Sequence, residues 1–185
     1  MSISRRNFTF AALAAPLFMA GCNNGVGSGN AEVIDARADA TLEYMFNQFP
    51  QTRDLADKSV AMLIMPLVTE AGFGIGGGYG RGALRIQGST VDYYSATTAN
   101  IGFQIGAQQY AHVLFFMTEE VLTTFRRSPG WSLGADAEYA FADKGGALKA
   151  DTTTLNAPIV AVVFGQAGLR AGATLEGQKY SRIIP

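Results

Sequence analysis

Hydrophobic positions recur along this chain with two different periods, and the change from one to the other divides it. From Asn30 to Phe49 the apolar residues Ile34, Ala38, Leu42, Met45 and Phe49 fall at helical spacing, and Pro50 stops the run. Asn30 stands where a cap is wanted, and Glu32 and Asp35 complement the N-terminal dipole. The stripe predicts a helix packed on a sheet, and Thr52 predicts the start of a second, short helix through Lys58. Beyond Ser59 the period becomes two. Ser59 to Met65 reads as a buried strand ended by Pro66, a second strand runs from about Phe73 to Gln87, and Gly88-Ser89 turns the chain into Thr90 to Ala96.

A long strand follows from Ile101 to Met117. Phe103, Ile105, Ala107, Ala111, Val113 and Phe115 share one face, while Gln104, Gln108, Tyr110 and His112 share the other. Thr118-Glu119-Glu120 caps an inserted helix that carries Val121, Leu122 and Phe125, with Arg126 and Arg127 at its C-terminal end before Ser128-Pro129-Gly130 breaks it. Trp131 to Phe141, Ala157 to Val163 and about Leu169 to Ile183 complete the strands.

Seven of the eleven residues from Gly72 to Gly82 are glycine. The opening, Gly72-Phe73-Gly74-Ile75-Gly76-Gly77, has the G-x-G-x-x-G spacing of a dinucleotide site. That fingerprint works only where the glycines open a helix, and the residues that follow are too glycine-rich to start one. The stretch instead belongs to a recurring pattern of Gly, a large apolar residue, two residues, Gly, then Gly or Ala. It occurs at Gly72 to Gly77, Gly102 to Ala107, Gly130 to Ala135 and Gly168 to Ala173. Glycines within strands mark bulges, bends or close backbone approach. Four copies predict an α+β fold, a strongly bent antiparallel sheet closed into something barrel-like, with an N-terminal helix and one inserted helix. The same spacing contains G-x-x-x-G, but Arg81, Gln104, Gln108 and Arg170 interrupt every segment that would have to lie in lipid.

The residues before Asn30 follow a different logic. Arg5 and Arg6 precede an apolar run from Phe8 to Met19 that ends in Ala20-Gly21-Cys22, the layout of a secretory signal and too short for a spanning helix. Ser4-Arg5-Arg6 with Phe8 resembles the twin-arginine export signal. Met19-Ala20-Gly21-Cys22 is similar to a bacterial lipobox, which implies cleavage before Cys22 and acylation of its sulfur. Cys22 is the single cysteine of the chain, so no disulfide closes within it, and acylation accounts for an odd thiol in an exported protein. The expected organisation is a signal peptide over residues 1–21, an acylated cysteine and flexible tether over 22–30, and one domain over 31–185. Asn23 after the cysteine favours the outer membrane by the usual sorting rule.

Without Arg5 and Arg6 the chain carries 12 basic against 15 acidic side chains, a balance that argues against nucleic acid as a partner. Catalytic chemistry is sparsely provided for. His112 is the single histidine, so no multi-histidine metal site can be built, and a Ser-His-Asp triad would have to pass through it. A lone strand histidine is more often solvated or hydrogen-bonded. Asp136 and Glu138 point to one side of a strand, a pairing that suits an outward polar face better than calcium or acid–base chemistry. No cofactor or metal is expected. Arg81 and Arg85 share a strand face and suit lipid phosphates, as do Arg126 and Arg127, with Arg37 and Lys58 near the first helix.

Five ordered blocks resemble the SYLF, or Ysc84-type, domain: the apolar strand ending in Pro66, the glycine block from Ala71 to Leu84, Ile101 to Tyr110 leading into the helix at Phe125, Trp131 to Phe141, and Ala167 to Ile183. Together they span nearly all of Val33 to Ile183. The resemblance implies a membrane- or lipid-associated binding module rather than an enzyme, with phosphoinositide-rich membranes and, in fungal relatives, actin as partners. Native actin binding is not expected of an acylated bacterial envelope protein. The eukaryotic lipid-binding segment is a basic amphipathic helix, and the acidic helix with Glu32, Asp35, Asp39 and Glu43 departs from it. Two expectations therefore stand side by side: an outer-membrane lipoprotein whose domain contacts membrane lipids, and a protein-interaction module for envelope proteins held at the membrane only by its acyl chains.

Overall fold

The structure is a computed structural model and describes residues 30–133, 139–141, 157–165, 168–169, 175 and 177–185. Cys22, Arg5, Arg6 and Phe8 lie outside the described residues, as do Asp136 and Glu138. The chain runs α1 (Asn30–Gln48), α2 (Thr52–Lys58), β1 (Ala61–Ile86), β2 (Ser89–Phe116), α3 (Glu119–Arg127), β3 (Trp131–Ser132), β4 (Tyr139–Phe141), β5 (Ile159–Gly165), β6 (Gly168–Leu169) and β7 (Lys179–Ile183).

The seven strands form one sheet curled into a half-barrel, dominated by the β1–β2 hairpin. β1 pairs with β2 from Ala61↔Phe116 to Ile86↔Ser89, so it occupies one edge of β2 along its whole length. The opposite edge is shared: β7 takes the first part through Tyr93↔Ile183 to Thr97↔Lys179, and β5 the last through Ala111↔Phe164 to Phe116↔Ile159. β3 extends the sheet from β7, and β4 and β6 pair with β5.

Such a long hairpin has to bend, and the glycine pattern is where it does. Its first two copies face each other across the strands, Gly72 opposite Gly106 and Gly74 opposite Gly102, with a register shift between the pairs. Past the bend β1 returns against its own beginning. A Cβ on Gly80 would stand 2.7 Å from the Leu67 carbonyl oxygen, and one on Gly82 would overlap the Ile64 carbonyl oxygen outright. Only glycine permits this backbone-on-backbone contact.

Several expectations change here. Pro66 does not end a strand: Met65 pairs with His112 and Val68 with Tyr110, leaving Pro66 and Leu67 together opposite Ala111 in a bulge. The missing N–H of proline costs nothing at a residue the ladder skips. The two strands expected at Thr90 to Ala96 and Ile101 to Met117 are one, because Thr97 to Asn100 pair with Gly76 to Tyr79. The strand expected from Leu169 to Ile183 is resolved into β6 and β7, which pair with different partners. The sheet is antiparallel except at β4, which lies parallel to β5.

The curl gives the sheet two buried faces. Inside, Leu63, Met65, Leu84, Tyr94, Leu114, Phe116, Ala161 and Tyr180 meet Val121, Leu122 and Phe125 of α3 and Trp131. Outside, Ile34, Ala38, Leu42 and Met45 of α1 cover Ile64, Ala83, Val113, Phe115, Val160 and Val162, as the helical stripe predicts. α3 is capped as expected, the Thr118 hydroxyl accepting from the Val121 N–H. Among the described residues no helix is long and apolar enough to cross a membrane.

Candidate functional site

The bulge at Pro66 leaves a groove of about 440 Å³ between α1 and the sheet. Its helix wall is one flank of α1, Arg37, Ala40, Thr41 and Tyr44, and its floor is Pro66, Leu67 and Gln109 to Ala111, closed at one end by Phe164 and Gly165. Tyr44 stacks on Phe164 with ring centroids 5.9 Å apart. Leu67 remains 37% exposed, an apolar side chain turned outward by the bulge. Arg37 is exposed on the rim and is the one charged residue of the lining among the described residues.

The other flank of α1 is fixed by polar contacts. Asp35 accepts from the Thr90 and Tyr93 hydroxyls, each at 2.8 Å, and Arg85 pairs with Asp39 at 2.5 Å. Partial burial, followed by the Asp35 carboxylate that accepts its proton, pushes the Tyr93 phenol up to about 12. Arg85 and Arg81 do share the face toward α1, yet Arg85 is occupied in holding the helix. Arg81 follows Gly80, whose backbone lies against Leu67 at the groove floor, and makes no ion pair among the described residues.

The remaining cations are dispersed. Arg126 donates to Asp92 at 3.1 Å through Nε and lies 3.0 Å from it through Nη2, while Arg182 reaches the same carboxylate at 2.7 Å. Asp92 is buried, so these two arginines tie α3 and β7 to β2. Arg127 and Lys58 are exposed at the C-terminal ends of α3 and α2.

His112 does not lie on a solvated face: it is completely buried inside the half-barrel. Curling turns Tyr110 and His112 of β2 inward, where Gln178 and Tyr180, at the start of β7, meet them with polar side chains. The Tyr180 hydroxyl donates to Gln178 Oε1 at 2.5 Å and stands 2.9 Å from His112 Nε2. Gln178 Nε2 donates to the Tyr110 hydroxyl at 3.0 Å, which donates to Glu70 at 2.6 Å. With the Tyr180 proton committed to Gln178, His112 Nε2 is the donor, and every bond points from His112 toward Glu70. Burial pushes the imidazole down to about 3, so it stays neutral. Its Nδ1 has no hydrogen-bond partner, and neither nitrogen meets a serine or a carboxylate among the described residues, so they form no triad. No group of three or more potential metal ligands occurs among the described residues.

A family match takes in Tyr110, His112, Gln178 and Tyr180 of this interior group but not Glu70. Residues 97–182 match the Ysc84 family, described as Las17-binding protein actin regulator. The match begins within β2 and ends within β7. It includes Gln109 to Ala111, Phe164 and Gly165 of the groove, whereas α1, the Pro66 bulge and the glycine block precede it. No curated protein matches the chain.

The groove was not singled out by the sequence, although two signals point to it. Arg37, Ala40, Thr41 and Tyr44 form a second stripe beside the core stripe of α1, and a proline inside an alternating run announces a bulge. Glu70, Gln178 and Tyr180 gave no sign, because they meet Tyr110 and His112 only across strands 40 and 68 residues apart.

Proposed function

We propose that this chain is an envelope lipoprotein whose domain binds membrane lipid without catalysis. In this reading the Arg5-Arg6 signal exports it, acylation at Cys22 anchors it at the outer membrane, and the tether from Asn23 lets the domain sit beside the bilayer. The observation that carries the reading is the groove: mainly apolar, with Pro66, Leu67, Ala111 and Phe164 in its lining, open to solvent, and bearing the cation Arg37 at its rim. A water-filled apolar trough is costly unless an apolar ligand occupies it. The lipid-associated character implied by the SYLF resemblance agrees with it, and Arg81, Arg127 and Lys58 remain as cations for anionic head groups.

Co-sedimentation of residues 22–185 carrying Cys22→Ser with neutral and anionic vesicles tests this. The expected result is binding that depends on lipid composition and weakens with salt. A second reading, a protein-interaction module, is favoured by the protein-binding description of the matched family. It predicts no vesicle binding by the unacylated chain and recovery of an envelope protein by crosslinking.

A further inference from the structure

The groove specifies its ligand more narrowly than lipid in general. We propose that it binds one long-chain fatty acid anion, with the acyl tail on Pro66, Leu67, Ala111 and Phe164 and the carboxylate on Arg37. This rests on the lipid-binding reading above and names its ligand. A volume of about 440 Å³ lies in the range of small-molecule pockets, roughly 300–1,000 Å³, rather than of an extended protein interface. The chemistry of the lining is that of an amphiphile site, apolar at Pro66, Leu67, Ala111 and Phe164 and positive at Arg37 on the rim. Among the described residues no acidic residue lines it. Arg37 is exposed and makes no ion pair among the described residues, so its guanidinium fork is available to a carboxylate.

Charge favours a carboxylate over a phosphate. A phosphate monoester carries about −1.5 to −2 at neutral pH, which a single rim arginine leaves partly uncompensated, whereas a carboxylate carries one charge. The acyl chains on Cys22 would be esters or amides and would offer Arg37 no anion. Binding in the groove thus means that the domain holds a lipid monomer outside the bilayer.

The test uses residues 22–185 carrying Cys22→Ser and titration calorimetry with decanoate, dodecanoate and tetradecanoate as monomers, beside 1-dodecanol and dodecyl phosphate. One fatty acid should bind per chain, with affinity rising up to about fourfold per added methylene. Dodecanol should bind about tenfold more weakly than dodecanoate, and Arg37→Gln should abolish that difference by weakening dodecanoate more than dodecanol. Ala40→Phe, on an exposed helix position facing the groove, should weaken every ligand with the thermal transition retained. Equal affinity for acid and alcohol, preference for the phosphate, or indifference to Ala40→Phe would overturn the assignment. Vesicle binding without any fatty acid binding removes this inference and leaves the lipid-binding reading standing; absence of both removes both.

Discussion

A histidine sealed among Tyr110, Tyr180 and the aromatic interior responds to acid in the opposite way from one in an ion pair. His112 is neutral in the folded protein down to about pH 3, while in the unfolded chain it takes up a proton near its ordinary value of 6.5. Its contribution to stability is therefore complete above pH 6.5 and is lost progressively as pH falls toward 3. At pH 5 the expected loss is about 2 kcal/mol relative to pH 7.5. Urea unfolding at the two pH values measures it, and His112→Gln should flatten the dependence. The neighbouring hydroxyl is tested separately. Tyr180→Phe leaves His112 and Gln178 Oε1 without that partner in a dry interior and should cost about 1–3 kcal/mol.

Among the elements, the β1–β2 hairpin owes its shape to glycines with two distinct jobs. Gly82 allows one backbone segment to lie on another, whereas Gly88 supplies the positive φ of 80° at the hairpin turn, with open space around its Cα. Gly82→Ala should destabilise by about 3 kcal/mol or more, because the Ile64 carbonyl it meets is backbone and cannot rotate away. Gly88→Asn should be tolerated within about 1 kcal/mol, since asparagine adopts left-handed geometry readily. Thermal or urea denaturation of the two variants separates them. For α3, Thr118→Ala removes the bond to the Val121 N–H and should cost about 1 kcal/mol.

At the scale of the whole molecule, attachment and binding are predicted to reside in different parts. Cys22→Ser in a two-membrane bacterium should remove both acylation and the cleavage before residue 22, so the protein should leave the outer-membrane fraction and accumulate as the uncleaved precursor. Arg5→Lys with Arg6→Lys should hold the uncleaved precursor inside the cell if the export signal is of the twin-arginine type. Neither change touches α1 or the groove, so purified Cys22→Ser protein should keep the melting transition of its Asn30–Pro185 domain.

The sequence by itself determined what depends on neighbours along the chain. Helical spacing from Ile34 to Met45 fixed the buried face of α1, Thr118 fixed the start of α3, and the glycine repeats located the bend at Gly72 to Gly77 and Gly102 to Ala107. Only the tertiary structure decided which face of β2 was wet. Alternation says that Tyr110 and His112 share a side, but curling makes that side an interior, and Gln178 and Tyr180 satisfy it from far along the chain. The same holds for the cations. Alternation and helix ends place Arg85 and Arg126, and only folding brings Asp39 and Asp92 to them. The groove arises from a local cause, a proline that the strand ladder must skip, but becomes a site only because α1 crosses beside that bulge and sets Arg37 at its rim. Local order follows from spacing, whereas the neutralisation of a charge or the drying of a face depends on what arrives across space.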